Sequence, residues 1–289
     1  MPYSIRQDIR KTNPCLHAGA IFPGTEKTDS RSELKPMKQY KKSYEIKNMA
    51  KDRLESRYGG AILITFLSFL LSGMARLSIN SVCVSTMNTV YAMTGSTGAS
   101  AGISVLFDIL LVTAGVLFGV MNAGIALYFL NLACGQRASV RDLFYGFRTD
   151  SKRYLVISAA LALCQTICLW PGQYLFQNYI STRDLKWIFY ALGAAGAGLC
   201  IYIPVSLGIA LSFYLALDFP ENTGKETLSL CWRMMKGHRS RLFLLELGFL
   251  PLTLLCILSF GIGFLWLEPY MQMTHACFFL DLMNPGSAR

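Results

Sequence analysis

The sequence predicts an all-α fold: a polytopic transmembrane helix bundle of about five spans, with basic amphipathic helices beside the membrane. Three observations predict it. The 289 residues are 53% hydrophobic and only 15% charged, against about 25% charged in an ordinary globular chain. The apolar residues fall in near-continuous runs without alternation or a 3.6-residue period, so those segments are apolar all round. The net charge of +10 sits in three blocks next to apolar runs. That placement fits an anionic membrane face and argues against a nucleic-acid partner, which needs a basic face on a folded domain.

Residues 218–270 show the pattern most clearly. DFPENTGKETLSLCWRMMKGHRSR is short, basic and amphipathic, and LFLLELGFLPLTLLCILSFGIGFLWLEPY follows it directly. The second run is long enough to cross a bilayer.

Residues 1–42 carry Pro, Gly, Ser, Thr and scattered charge without periodicity, and are expected to be a disordered cytoplasmic tail. They lack the apolar core of a secretory signal. Met37 is an alternative start, which N-terminal sequencing of the native protein decides. Residues 43–283 form the expected integral membrane domain, and 284–289 a frayed tail. Within 43–58, Ile46, Met49, Ala50 and Leu54 recur at helical spacing among Lys47, Lys51, Arg53 and Arg57. This segment is either a helix lying on an anionic leaflet or a solvated helix leading into a span.

The first span is 59–79, with Arg76 near its far end and able to snorkel. Residues 80–101 have no charge and are rich in Ser, Thr and Gly; they read as an outer loop, or as partly helical. The second span, 102–135, is too long for one straight crossing. Gly115, Gly119 and Ala123 in it have the four-residue spacing that lets helices approach closely. Asn122 and Asn131 can bond between helices. Asp108, near its start, is expected to pair with Arg76, since an unpaired charge in lipid is costly; otherwise each snorkels separately.

The second basic block, 136–153, carries a capping-box spacing at Ser139 and Asp142 and an apolar face of Leu143, Phe144 and Phe147. The third span, 154–170, is expected to stop at Pro171-Gly172, leaving 173–186 as a second outer loop. The fourth, 187–217, repeats the small-residue spacing at Gly193/Ala197 and Gly196/Cys200. Pro204 should kink it or free a carbonyl, lining a ligand cavity or only packing.

In the third block, Thr223 or Asn222 caps a helix with a stripe of Leu228, Cys231, Trp232 and Met235. Gly237 ends it and Ser240 can cap the next. Trp232, Met235, Arg233, Lys236 and Arg239 form a candidate membrane-surface or partner face. In the fifth span, 242–267, Glu246 lies about one turn inside, positioned to bond back to Arg241 or Arg239. As an intramembrane acid it is a candidate functional residue. Trp266 and Tyr270 read as an interfacial aromatic belt. Residues 271–283 are too few to span; they lie along the outer surface or re-enter the bundle.

Five spans put every heavy basic block on one side. The N-terminus is therefore expected inside and the C-terminus outside. SVRDLFYGFR and TLSLCWRMMKGHR each follow a small-residue-rich helix and place a Gly two residues before an Arg, at Gly146/Arg148 and Gly237/Arg239. This suggests a parallel span–basic helix–span repeat.

EIKNMAKDRLESRYGGAIL, SVRDLFYGF, IYIPVSLGIALSFYLALDFPE, MMKGHRSRLFLLELGFLPLTLL and GIGFLWLEPY with the following Phe278-Phe279 together resemble the bacterial integral membrane family catalogued as domain of unknown function nine-seven-five. The resemblance covers about 43–282 and leaves the first 42 residues outside. It implies a polytopic inner-membrane protein without established activity, so no catalytic or binding residue carries over. Where members are expected to show Ile-Pro-Gly, this chain has Ile203-Pro204-Val205, which weakens any argument for a glycine-opened bend.

No phosphate loop, HExxH or GxSxG is present, which lowers the expectation of an enzyme. His17, His238 and His275 are far apart, and most of the nine cysteines sit singly in apolar runs. Cys164 and Cys168 are one helical turn apart without a nearby His or acid. No cofactor, metal site or disulfide framework is expected. Two readings of function remain. The first is a non-catalytic scaffold or sensor that binds anionic lipid headgroups or a protein partner, or forms a homo-oligomer. The second is a transporter of a small solute or lipid, or a subunit of one. Arg76, Asp108, Asn122, Pro204 and Glu246 are the candidate ligand-lining or structural residues, with Gln165 a further polar candidate.

Overall fold

The computed structural model describes residues 40–55, 57–94, 97–182 and 184–284. The described residues are almost entirely helical, without a strand, and five helices are long and apolar enough to cross a membrane. The expected tail at 1–39 and the last five residues lie outside the described residues.

Helix α1 (Ser43–Glu55) places Ile46, Ala50 and Leu54 on one face, all fully buried. That face packs on the last helix of the chain, α12 (Phe264–Met283), so its apolar residues meet protein and not a leaflet. Helices α2 (Tyr58–Thr94), α3 (Thr97–Gly119) and α4 (Met121–Ala133) form the first hairpin. It runs through the segment expected as an outer loop. Residues 80–94 continue α2 because their polar side chains are satisfied by their own helix. Ser78 donates to the Met74 carbonyl (2.8 Å), Thr86 to Val82 (2.8 Å) and Thr89 to Ser85 (2.9 Å).

A short 3₁₀ helix (Val140–Phe144) and α5 (Tyr145–Arg148) follow. The predicted capping box forms: Ser139 accepts from the Arg141 N–H, and Asp142 from the Ser139 N–H (3.0 Å). Only Leu143 of the expected apolar face is buried; Phe144 and Phe147 are exposed. Helix α6 (Ser151–Thr182) does not stop at Pro171 but carries it inside. It pairs extensively with α7 (Leu185–Ile209), and that packing outweighs the hydrogen bond lost at Pro171. A Cβ on Gly172 would stand 3.0 Å from Ala195 Cβ, and one on Gly198 would overlap the Cys168 carbonyl. These are the small residues that let the helices touch. Gly193 and Gly196, the glycines of the two expected pairs with Ala197 and Cys200, have open space around them.

After α8 (Ser212–Asp218), α9 (Gly224–Met234) is capped by Thr223 in a capping box with Glu226. Its buried stripe is Gly224, Thr227 and Cys231, continued by Met235. Burial pushes the Cys231 thiol up to about 12, which leaves it an inert packing group. Gly237 takes a left-handed φ of +94°, as expected at a helix end. Gly146 instead packs on Val120, where its Cβ would meet the carbonyl at 2.7 Å. The glycines matched in the proposed repeat therefore have different roles. Ser240 does not cap the following helix; His238 holds that position without a side-chain cap bond.

Hydrogen bonds from the Thr223 backbone and side chain hold the Glu226 carboxyl below its ordinary value. A depressed carboxylate stabilises the fold above its unfolded pKa and loses that contribution as pH falls through the folded value. Thr223→Ala should cost about 1 kcal/mol near neutral pH. The difference from wild type should narrow as pH drops below 4.5, measured as the two melting temperatures in detergent across pH.

The fifth apolar run breaks into α10 (Arg239–Leu247) and α11 (Leu250–Leu258) and then turns at residues 259–263, with left-handed backbone at Phe260 and Gly261. Helix α12 then returns antiparallel. Residues 271–283 are thus the second half of a 20-residue helix. Met273, Thr274, Ala276, Cys277, Phe278 and Phe279 are buried against α1 and α4. Asp281 accepts from Arg241 (2.8 Å) and from the Lys41 N–H (3.3 Å), and Arg241 also donates to the Lys41 carbonyl (2.8 Å). Residues 41, 241 and 281 therefore share one end of the molecule.

Arginines bind the other elements of that end. Arg53 donates to the Ala133 carbonyl, Arg57 to Gln136 (2.7 Å) and Arg153 to Phe219 (3.3 Å). The basic blocks are thus stitched to carbonyls at the ends of the hairpins, where helices leave acceptors unsatisfied.

Candidate ligand-binding cavity

Polar side chains within the apolar spans converge on a cavity of about 240 Å³. Ser68, Ser72 and Arg76 of α2 are four residues apart and stack on one helix face. The α3–α4 hairpin arm contributes Gly115, Gly119 and Asn122; α6 contributes Ser158 and Gln165; Tyr202 of α7 and Phe213 of α8 complete the wall.

Glycine shapes the space. A Cβ on Gly119 would lie 2.7 Å from Ser158 Cβ, so Gly119 brings α3 against α6. One on Gly115 would lie 3.8 Å from Arg76 Nη2, so Gly115 leaves room over the guanidinium. Helix α4 is buried at every position but two. Asn131 is half-buried, and Asn122, the single exposed side chain, faces the cavity. Arg76 and Gln165 are also exposed there. The serines are partly committed: Ser72 donates to the Ser68 carbonyl (2.9 Å) and Ser158 to the Leu155 carbonyl (3.2 Å).

Arg76 is the one charged residue in the wall, and it forms no ion pair among the described residues. The expected Arg76–Asp108 pair does not form. Gly115 is the residue opposite Arg76, and Asp108 lies seven residues away, about 10 Å along the helix. Asp108 is exposed.

A family model described as "Protein of unknown function (DUF975)" matches residues 37–285. The chain belongs to the DUF975 family. No curated protein and no solved structure matches it, so the roles of its residues rest on its own geometry.

Of the candidates named from the sequence, the DUF975 chain brings Arg76, Asn122 and Gln165 together and leaves the others elsewhere. Pro204 is exposed, lies outside the cavity wall and is carried within α7. Glu246 does not bond back to Arg241 or Arg239; it meets His275 Nε2 at 2.5 Å, across the α10–α12 pair. Arg241 is engaged by Asp281, and Arg239 lies over the Trp232 ring at 3.8 Å. Trp232 packs on α7, where a Gly208 Cβ would meet it at 2.6 Å. Met235 is fully buried, so the expected surface face is in part core; Arg233 and Lys236 remain exposed.

The serines and Tyr202 were missed by sequence reasoning. Their signal was present: Ser68, Ser72 and Arg76, and Ser158 and Gln165, recur at helical spacing inside apolar runs. No group of three or more His, Cys, Asp or Glu that could hold a metal occurs among the described residues.

Proposed function

We propose that this DUF975 protein is a non-catalytic, multi-pass protein of the bacterial cell membrane that holds a ligand in the cavity between α2, α4, α6 and α7. The carrying observation is the convergence of Arg76, Asn122 and Gln165 from three separate spans on one space. Polar groups in a span are costly and tend to mark ligand or ion paths. The wall offers hydrogen bonds and one cation, but no nucleophile–base pair, so it suits holding and sensing a ligand better than turning it over.

The basic end made by Lys41, Arg53, Arg57, Arg153 and Arg241 supports a cytoplasmic placement against anionic headgroups. The N-terminal side then faces the cytoplasm, and the contact of Lys41 with Asp281 draws residue 281 to the same face. Trp232 and the exposed Arg233 and Lys236 beside it would supply the surface for a protein partner or a second copy.

Transport of a small solute or lipid is the second reading, favoured because the cavity is walled by helices from two hairpins that could rock against each other. Native mass spectrometry of the protein released gently from its own membrane tests the first. Wild type should retain one small ligand per chain, Asn122→Leu should lose it, and Trp232→Ala should keep it. Retention of a protein partner alone, sensitive to Trp232→Ala and not to Asn122→Leu, would overturn the cavity reading.

A further inference from the structure

We infer that the cavity ligand is an anion, with a single phosphate or carboxylate group bound at Arg76. The inference rests on the cavity reading above and adds the ligand's chemical class.

The first support is charge. Arg76 is 18 residues into α2, about 27 Å along at 1.5 Å per residue, within the membrane-crossing stretch Tyr58–Val90. A guanidinium there, near the far boundary of a roughly 30 Å hydrocarbon core, needs a counter-charge or water. The wall contains no carboxylate, and Asp108 sits too far along the hairpin to serve. An anion entering the cavity meets one positive charge and no negative one, whereas a cation would be repelled.

Donors are the second support. A guanidinium presents five N–H groups in a planar fork that matches a phosphate or carboxylate edge. The Asn122 and Gln165 amides add N–H₂ donors from the other side. Both side chains are exposed to the cavity, and no described residue accepts from them. The Ser72 and Ser158 hydroxyls donate to their own helices and so offer the space only lone pairs. These can accept from hydroxyls on the rest of a ligand, such as a glycerol unit.

Size is the third. At about 240 Å³ the cavity lies below the roughly 300–1,000 Å³ of drug-sized pockets. It fits a headgroup or a small acid, not a large amphiphile. Arg76 is exposed, and Phe69 and Leu77 of the same helix and Leu110 of α3 are exposed apolar side chains. An acyl chain could lie on them while the headgroup enters. The same anionic group could equally come from a free solute.

The test uses the full chain purified in neutral detergent and reconstituted into nanodiscs. Variants are Arg76→Gln, which keeps polarity, and Arg233→Gln, which removes the same charge from the exposed block. The readouts are native mass spectrometry of lipid retained per chain and the melting temperature with inorganic phosphate. With phosphatidylglycerol against phosphatidylcholine, wild type and Arg233→Gln should retain one phosphatidylglycerol. Arg76→Gln should bind it at least tenfold more weakly. If the source is a free anion, phosphate should raise the melting temperature of wild type and Arg233→Gln but not of Arg76→Gln. The inference is overturned if Arg76→Gln equals wild type in both arms, or if phosphatidylcholine is retained as well as phosphatidylglycerol and phosphate leaves the wild-type melting temperature unchanged. A neutral ligand lost on Asn122→Leu but kept by Arg76→Gln would sink the anion while leaving the cavity reading intact. No ligand in any arm would sink both. Arg76→Lys, which keeps the charge, separates binding loss from misfolding: it should fold and bind more weakly than wild type but better than Arg76→Gln.

Discussion

Gly124→Ala should abolish accumulation of folded protein. Gly124 is buried in the first turn of α4, the most enclosed helix of the bundle. A Cβ there would overlap the Leu143 and Asp142 carbonyls of the 3₁₀ helix. These are backbone atoms held by a capping box, so no side-chain rotation relieves the clash. In an unpacked helix, Gly→Ala gains up to about 1 kcal/mol. Overpacking a tight site costs about 1–3 kcal/mol and occasionally more. With backbone as the obstacle the cost should reach the top of that range and decide the sign. Gly193→Ala is the matched control. It is also a glycine within a helix, but nothing lies within 4 Å of its Cβ position, so its melting temperature should hold or rise. Yield of monodisperse protein and the melting temperature in detergent read both. Equal behaviour of the two variants would refute the close approach of α4 to the 3₁₀ helix.

Asp281→Ala should be the other severe change, by about 3 kcal/mol, since stripping one partner from a buried pair strands the other charge. The Asp281 side chain is 5% exposed and that of Arg241 24%, with 2.8 Å between them. Arg241 also stacks near Tyr40 and Phe278, at 4.7 and 5.3 Å. The lost pair would therefore loosen α1, α10 and α12 together. Asp281→Asn should cost less, because an amide oxygen can still accept from the Lys41 N–H. The double variant Arg241→Met with Asp281→Leu should recover part of the loss, because apolar side chains do not strand a charge. Chemical denaturation in mild detergent reads the series. If the double variant falls as far as the sum of the single changes, the two residues are not coupled.

The sequence carries the class of fold plainly and its turns poorly. Five spans could be counted because their apolar runs are long and carry few charges. Residues 80–94 looked like a loop because Ser and Thr are common in loops, but in a span their hydroxyls return to the preceding turn. Pro171 looked like a stop because propensity is local, and only the partner helix α7 shows why the backbone continues. Residues 271–283 looked too short because the true turn lies at 259–263, hidden inside an apolar run. The cavity was half legible. Arg76, Asn122 and Gln165 are conspicuous as polar residues in apolar runs. Which of them meet depends on the rotation of each helix, and that is fixed by Gly115 and Gly119 against neighbours far away in sequence. The Arg76–Asp108 pair failed for a related reason: both lie in one hairpin, but at different heights.

Helix α2 has 37 residues, about 55 Å at 1.5 Å per residue, against a hydrocarbon core of about 30 Å. Even at the 40° upper end of observed tilts it would rise about 42 Å. The end of α2 away from the arginine collar must therefore reach beyond the hydrocarbon core. Arg76 is the midpoint of this rod. A push or a grip on the protruding tip would then act as on a lever, with the collar as its fulcrum, and would swing the guanidinium relative to Asn122 and Gln165 on the neighbouring helices.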